Sequence, residues 1–159
     1  MSELSIPTFN LVATNLGDFT LSDYKGKNIV IYFYPKNNTP GCSIESRGFR
    51  NLFPEFEKNN TVIFGVSRDS LQSHEKFKNK LNLPFELITD SDEKLCNYFN
   101  ILGEKKMFGK TFKGLIRSTF LINPDGKVVK EWRKVKIKGH AEDVLSSLTS
   151  AQNNTLLTD

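Results

Sequence analysis

The chain has 159 residues, of which 38% are hydrophobic and 25% are charged, and its formal net charge is +4. A chain of this size and composition fits one globular domain with a substantial core. No apolar stretch approaches the ~20 residues that cross a bilayer. The N-terminus lacks a basic segment followed by an apolar one, so we read no secretory signal. We therefore expect a cytoplasmic protein without a membrane partner.

Basic residues are concentrated in two segments, 105–117 and 130–138. No nucleic-acid-binding motif accompanies them, so we interpret these segments as a solvated basic face and predict no nucleic-acid partner. Attraction of an acidic protein partner and loose nucleic-acid binding stay open as alternatives for this face.

The two cysteines, Cys42 and Cys96, allow at most one disulfide, and a structural bridge is not expected in a reducing compartment. The chain has no CxxC pair and no Cys/His cluster with the spacing of a zinc site. His74 and His140 stand alone in the sequence, which favours surface or capping side chains over metal ligands. No GxGxxG or Walker pattern follows a predicted strand. We expect neither a metal nor a bound cofactor.

The first predicted elements are strands. Residues 9–12 and 18–21 have the pattern of short strands around the turn-rich segment 14–17, which indicates a hairpin. The all-apolar run 29–33 predicts a strand that is covered on both faces.

An amphipathic helix is predicted after this third strand, beginning near Cys42. Its apolar residues follow helical spacing and are Ile44, Phe49, Leu52, Phe53 and Phe56. Pro54 falls inside the pattern, so we expect a kink or an interruption near Phe53.

Two strand–helix units follow. The strand 62–66 precedes a helix that a capping box over 69–72 opens and Pro84 closes. The strand 86–89 precedes a second helix, which begins with a capping box over 90–93. This second helix carries Leu95, Tyr98 and Phe99.

The C-terminal part predicts a long glycine- and lysine-rich connection over 101–114, then a β-hairpin and a helix. The strands 119–123 and 127–131 flank the turn Asn123-Pro124-Asp125-Gly126, which is a strong hairpin signal. The last helix has apolar residues at i, i+3, i+4 and i+7, namely Ala141, Val144, Leu145 and Leu148.

The predicted order is an N-terminal hairpin, then βαβαβα, then a hairpin and a helix. This order is typical of a thioredoxin-like fold, an α/β fold in which helices flank a mixed central sheet. No repeat and no domain boundary interrupts residues 1–149, so we expect one domain there. The segment 150–159 has no pattern, and we expect a mobile tail.

Cys42 lies at the junction between the strand 29–33 and the predicted helix. A thiol at such a junction is close to the unpaired N–H groups and the positive dipole end of the helix. This placement favours the thiolate, which is the nucleophilic form of cysteine. The alternative is a buried, inert cysteine that packs as a small hydrophobe. The polar and strained entry Thr39-Pro40-Gly41 argues against that alternative.

A reactive thiolate must be shielded and must have hydrogen-bond donors for the atoms it attacks. Pro35 and Pro40 stiffen the loop and can shield the sulfur. The Thr39 hydroxyl can turn toward the sulfur and toward a bound oxygen. Gly41 allows close backbone approach, so that its N–H and that of Cys42 become donors.

A cation must neutralise the thiolate, and Arg117 is the best candidate. It opens the strand 119–123, which neighbours the central strand in a thioredoxin-like sheet, so its side chain can reach the cysteine loop. Arg47 and Arg50 are alternatives because they lie one and two turns along the predicted helix. Arg47 also fits a solvated helix position.

Pro35, Thr39 and Cys42, separated by three and two residues, resemble the active-site motif of the peroxiredoxin family. The segment 117–122 is similar to the one that carries that family's distal arginine. The resemblance implies a thiol-dependent peroxidase in which Cys42 becomes a sulfenic acid. Pro35, Thr39 and Arg117 would complete its four-residue site.

A wider similarity points to one subgroup of that family. The string 33–42, with Gly65-Val66-Ser67 and the turn at 123–126, resembles the bacterioferritin comigratory protein (peroxiredoxin Q) subgroup. The similarity extends to about Leu148 and therefore covers nearly the whole chain.

The chain departs from that subgroup in its second cysteine. Many members carry a resolving cysteine at the position of Arg47, and others carry it around 77–80, but this sequence has none in either place. We interpret Cys96, the only other thiol, as a partly buried helix residue, and we expect a one-cysteine mechanism. A resolving role for Cys96 stays open and would require local unfolding, because a disulfide needs Cα atoms within about 7 Å.

The resemblance implies reduction of hydrogen peroxide and organic hydroperoxides. The electrons would come from thioredoxin, glutaredoxin or a small thiol, and we expect a monomer or a weak homodimer. One alternative is a redox sensor or adaptor, in which oxidation of Cys42 changes partner binding at the basic face. A plain thiol–disulfide oxidoreductase is a weaker alternative, because the CxxC pair is missing.

Overall fold

A computed structural model describes residues 4–158, and the side chains of these residues except Met107 and 151–158. The strands are β1 (Leu11–Ala13), β2 (Gly17–Phe19), β3 (Asn28–Phe33), β4 (Thr61–Ser67), β5 (Glu86–Thr89), β6 (Leu102–Met107), β7 (Lys110–Leu115), β8 (Ser118–Ile122) and β9 (Val128–Arg133). The α-helices are α1 (Pro40–Lys58), α2 (Leu71–Leu81), α3 (Lys94–Tyr98) and α4 (His140–Thr158). A 3-10 helix, Leu21–Tyr24, follows β2 where a longer second strand was predicted.

Seven strands form one mixed sheet in the order β2-β1-β5-β4-β3-β8-β9. The central strand β3 pairs in parallel with β4 and antiparallel with β8. The β1–β2 hairpin extends the sheet beyond β5, as predicted for the N-terminal extension. The fold class predicted from the sequence, a mixed sheet flanked by helices with an added hairpin, is confirmed.

Side chains of β3 alternate between the two faces of the sheet, and each face has its own apolar core. Ile29, Ile31 and Phe33 face a core built with α3, the 3-10 helix and the N-terminal hairpin. Val30 and Tyr32 face a second core built with α1, α2 and α4. Because both faces are covered, the strand is apolar at almost every position, as the sequence predicted.

The predicted interruption of the first helix near Phe53 is wrong, because α1 runs through Pro54 to Lys58. The alternative, a kink at this place, stays a prediction. Proline removes one backbone donor from the helix. Phe49 and Phe56 are fully buried on either side of it and anchor both halves of the helix in the same core. The helix also begins two residues before Cys42, with Thr39 as its N-cap.

The predicted capping box over 69–72 is also wrong. The N-cap of α2 is Ser70, whose hydroxyl accepts the N–H of Ser73 at 3.1 Å. The Asp69 carboxylate instead accepts the N–H of Asn37 at 2.9 Å. This contact ties the start of α2 to the loop that precedes α1.

The predicted capping box over 90–93 is also wrong, because here too the aspartate is not the N-cap residue of the helix. Asp90 is buried, and its two carboxylate oxygens accept the N–H groups of Leu95 and Cys96 at 2.9 and 2.8 Å. It therefore satisfies the free donors of α3 without being the N-cap residue, which is Glu93.

The segment 101–114 is not the long connection that we expected. It forms most of an antiparallel hairpin of β6 and β7, which make a two-stranded sheet of their own. Its strands are rich in glycine and lysine, which are both depleted in typical strands. The sequence of this segment therefore lacks the pattern that predicts a strand.

The last helix begins at His140 and extends to Thr158, beyond the predicted stripe. The expected mobility of 150–159 falls largely on residues whose side chains lie outside the described part, so it stays a prediction, as does the 1–149 boundary. Within residues 4–158, no helix combines the length and apolar character needed to span a bilayer.

Candidate active site

Cys42 lies in the first turn of α1, at the end of the loop that follows β3. Thr39 is the N-cap with an extended backbone, and its carbonyl accepts the N–H of Ser43 at 3.0 Å. Pro40 is the first helical residue, where its missing N–H removes no helical hydrogen bond. The Cys42 sulfur is therefore held at the positive end of a five-turn helix.

Arg117 contacts the Cys42 sulfur directly. Its Nη2 donates to Cys42 Sγ at 3.2 Å, and its Nη1 donates to Glu45 Oε1 at 2.6 Å. Arg117 precedes β8, whose first residue, Ser118, pairs with Phe33 at the end of β3. The register of these two strands therefore brings the guanidinium to the start of α1, as the predicted sheet order required.

Glu45 is the third member of this cluster, and no role was predicted for it from the sequence. Its side chain is buried, Oε1 binds Arg117, and Oε2 has no hydrogen-bond partner within the described part of the chain. Burial raises the pKa of Glu45 to about 7, although the positive charge of Arg117 acts in the opposite direction. A signal was present in the sequence, because Glu45 lies one turn after Cys42 on the same helix face as Phe49.

The cluster fixes the orientation of the guanidinium. One terminal nitrogen of Arg117 is held by a carboxylate from α1, which leaves the other directed at the sulfur of the same helix. Charge-assisted hydrogen bonds of this kind are short and geometrically specific. Burial acts to lower the pKa of Arg117, but proximity to Glu45 and to Cys42 outweighs it and raises that pKa, so Arg117 remains a cation.

Thr39 and Pro35 belong to the segment that joins β3 to α1, and the contact of Thr39 differs from the predicted one. The Thr39 hydroxyl donates to the carbonyl of Lys36 at 2.9 Å and is not paired with the sulfur. Pro35 is half-buried, whereas Pro40 is exposed and so provides little shielding.

The alternative cations do not approach the sulfur. Arg47 is exposed, which fits the solvated position that the sequence also allowed. Arg50 donates from Nη1 to the carbonyl of Leu81 at 2.8 Å and thereby links α1 to the end of α2. Arg117 is thus the predicted arginine that the fold brings to Cys42.

The loop between β9 and α4 contacts Arg117 and Gly41, the chain neighbour of Cys42. Val135 donates its N–H to the carbonyl of Arg117 at 3.0 Å. Ile137 packs against Gly41 so closely that a Cβ added there would lie 2.8 Å from its Cδ1 atom. Cys42 itself has no exposed surface. The same loop lines an open cavity of about 690 Å³ together with β9 and α4.

The two histidines are buried, which corrects the prediction of surface side chains. His140 Nε2 lies 2.7 Å from the Thr119 hydroxyl, and burial lowers its pKa to about 4. His74 Nδ1 lies 3.1 Å from the Asn37 amide, and burial lowers its pKa as well. Both rings act as neutral hydrogen-bonding groups, and residues 4–158 contain no cluster of acidic, histidine or cysteine side chains suited to a metal.

Cys96 belongs to a different part of the molecule from Cys42. It is fully buried in the core on the α3 face of the sheet, whereas Cys42 lies in the core on the opposite face. Both thiols are free. Burial and the nearby Asp90 carboxylate raise the pKa of Cys96, which disfavours its thiolate.

Comparison with known proteins decides the family. The model of the AhpC/TSA family matches residues 4–131. The chain is 49% identical over 148 residues to peroxiredoxin Bcp of Xanthomonas campestris, covering 92% of each chain. It is 52% identical over 128 residues to peroxiredoxin Bcp of Bacillus subtilis, covering 80% of this chain and 82% of that protein.

This chain belongs to the AhpC/TSA family. A solved structure of the Xanthomonas campestris bacterioferritin comigratory protein superposes with a TM-score of 0.86 at 46% identity, covering 90% of this chain and 91% of that one. The predicted family, subgroup and thioredoxin-like fold are therefore confirmed. The chain is a peroxiredoxin, and so a thiol-dependent peroxidase that uses a peroxide substrate and a thiol reductant.

Because Glu45 is buried, we expect the free energy of unfolding to depend on pH in a specific way. Its pKa is about 7 in the folded chain and near its ordinary value of 4.5 when unfolded. Folding therefore takes up a proton between these values, and the contribution of Glu45 to stability falls as the pH rises from about 5 to about 8. We expect the free energy of unfolding of the wild type, relative to Glu45→Gln, to fall by on the order of 1–3 kcal/mol over that range.

Urea unfolding of both proteins at several pH values measures this difference. The Glu45→Gln variant is the matched control, because it keeps the shape of the side chain and cannot ionise. A difference that stays constant between pH 5 and pH 8 would show that Glu45 does not titrate there.

Proposed function

We propose that Cys42 is the peroxidatic nucleophile of this peroxiredoxin and that it works by a one-cysteine mechanism. The observation that carries the proposal is the hydrogen bond of 3.2 Å from the Arg117 guanidinium to Cys42 Sγ at the N-terminus of α1. A guanidinium and the positive end of a helix dipole both stabilise negative charge that lies close to them, and the thiolate is the form of cysteine that attacks peroxides.

In the first step the Cys42 thiolate attacks one oxygen of the peroxide. An S–O bond forms, the O–O bond breaks, and the second oxygen leaves as an alcohol or water after taking up a proton. Arg117 Nη2 is placed to donate to the oxygen on which negative charge develops. The Thr39 hydroxyl donates its hydrogen bond to the backbone carbonyl of Lys36, so its oxygen can accept a hydrogen bond from the incoming hydroperoxide.

Pro35 has a structural role in this proposal. It is half-buried directly after the fully buried Tyr34 and restricts the backbone of the loop that presents Thr39 and Cys42. Because Cys42 has no exposed surface, the peroxide must enter where the half-buried Thr39, Gly41 and Arg117 meet solvent.

In the second step an external thiol attacks the sulfur of the Cys42 sulfenic acid. Water leaves, a mixed disulfide forms, and a second external thiol releases Cys42 in its reduced form. One peroxide is reduced to an alcohol and water while two thiols are oxidised to one disulfide.

Two observations favour an external thiol over Cys96. The central sheet lies between the cores that hold the two sulfurs, and a disulfide would require their Cα atoms to approach within about 7 Å. The raised pKa of Cys96 also leaves little thiolate to attack a sulfenic acid. A two-cysteine cycle would therefore require α3 or α1 to unfold locally.

The remaining expectations on partners stay proposals. Thioredoxin, glutaredoxin or a small thiol would supply the electrons, the chain would act in the cytoplasm, and it would be a monomer or a weak homodimer.

A single oxidation with one equivalent of hydrogen peroxide tests the one-cysteine cycle. We expect the intact monomer to gain the mass of one oxygen, and a dimedone adduct to map to Cys42 in both the wild type and Cys96→Ser. A loss of two hydrogens from the monomer, abolished by Cys96→Ser, would instead establish a Cys42–Cys96 disulfide.

Turnover separates the enzyme from a redox sensor. With excess hydroperoxide and a thiol reductant, we expect many cycles from the wild type and from Cys96→Ser, and none from Cys42→Ser. Oxidation that stops after one equivalent with thioredoxin, glutaredoxin and dithiothreitol alike would favour the sensor.

A further inference from the structure

The β6–β7 hairpin has an exposed aromatic residue at its apex. Phe108 lies in the turn between the strands, next to Gly109, and is 93% exposed. Phe112 on the second strand is also exposed, at 44%. Large aromatic side chains normally bury most of their surface, so a ring exposed to this degree is available to contact a partner.

The backbone conformation at Phe108 is also unfavourable for a phenylalanine. Its φ is +52°, in the left-handed region, and that of Gly109 is +75°. Two-residue hairpin turns with two positive φ angles strongly favour Asn-Gly or Gly-Gly, because a bulky side chain is strained there. Strain together with exposure indicates that the phenylalanine is present for a partner and not for the stability of the turn.

Positive charge surrounds this apex. Within 102–115 the hairpin has four lysines and a single acidic residue, Glu104; the lysines are Lys105, Lys106, Lys110 and Lys113. None of these lysines has an ion-pair partner in the part of the chain that the structure describes. The hairpin therefore presents an apolar tip surrounded by unpaired cations.

We propose that the β6–β7 hairpin docks this peroxidase on membranes rich in anionic lipids. The Phe108 ring enters the interfacial region, where an aromatic side chain is favoured, and the lysine ammonium groups remain at the level of the lipid phosphates. No membrane partner was predicted from the sequence, because no apolar stretch approaches the length that crosses a bilayer; docking on a membrane surface does not need such a stretch.

The shape of the patch favours a lipid surface over a protein. A stable protein interface buries about 800 Å² on each partner around a packed apolar centre. This hairpin instead offers the exposed Phe108 ring at the apex of a two-stranded ribbon and the partly exposed Phe112 ring along it, with cations on both strands. Such an arrangement matches a fluid layer that is apolar inside and negatively charged at its surface.

Docking through this hairpin would hold the proposed active site near the bilayer. The strand β7 runs from the apex to Leu115, two residues before Arg117. Six residues of strand span about 20 Å. If the proposed function holds, Cys42 would then meet hydroperoxides at the lipid surface, but the docking itself does not depend on that function.

Sedimentation with vesicles tests the docking. We compare vesicles of phosphatidylcholine with vesicles containing equal parts of phosphatidylcholine and phosphatidylglycerol, at low and physiological salt. We expect the wild type to bind only the anionic vesicles. Phe108→Asn should weaken binding at least about tenfold while keeping or raising the melting temperature, because asparagine suits the left-handed turn.

Charge variants complete the test. Lys106→Gln with Lys110→Gln should weaken vesicle binding about thirtyfold. The matched control, Lys136→Gln with Lys138→Gln, removes the same charge from the loop before α4 and should change binding less than about threefold. Equal binding of the wild type and Phe108→Asn, or no binding to anionic vesicles, would overturn the proposal.

Two other outcomes would assign the hairpin to another partner. Tighter binding to a single-stranded oligonucleotide than to vesicles, lost in Phe108→Asn, would make it a nucleic-acid contact. A dimer that Phe108→Asn converts to a monomer, without vesicle binding, would make it a contact between copies of this chain.

Discussion

The candidate site depends on the two hydrogen bonds of one guanidinium. Arg117 arrives from the strand side of the fold, binds the Glu45 carboxylate, and is thereby directed at the Cys42 sulfur one turn earlier on the same helix. The antiparallel register between β3 and β8 places Arg117 next to the start of α1. A shift of one residue in that register would move Arg117 to the opposite face of the sheet and leave both the thiol and the carboxylate without a cation.

The central sheet also separates the two sulfurs of the chain. Because β3 is covered on both faces, α1 with Cys42 packs on one side and α3 with Cys96 on the other. The geometry that buries Cys96 as an apolar residue is the same geometry that leaves Cys42 without a nearby resolving thiol. The recycling chemistry that we propose is thus a consequence of the layered fold.

Sequence patterns predicted the features that depend on residues close together in the chain. The apolar run of β3, the turn before β9 and the spacing of Pro35, Thr39 and Cys42 all carry their own signals. Glu45 was missed because a charged helix residue is normally solvated, and only the arrival of Arg117 makes its burial tolerable. The β6–β7 hairpin was missed because its turn uses Phe108 where asparagine or glycine is the usual signal.

The rate of Cys42 oxidation in Arg117→Ala tests the central claim most directly. Stopped-flow measurement of the second-order rate with hydrogen peroxide should show a loss of at least about 100-fold, because the variant lacks the donor to the sulfur and to the developing oxyanion. The control Arg47→Ala removes an exposed arginine from α1, the helix that carries Cys42, and should leave the rate unchanged. Thermal unfolding checks that both variants are folded. Equal rates in the folded Arg117→Ala and Arg47→Ala proteins would contradict the account.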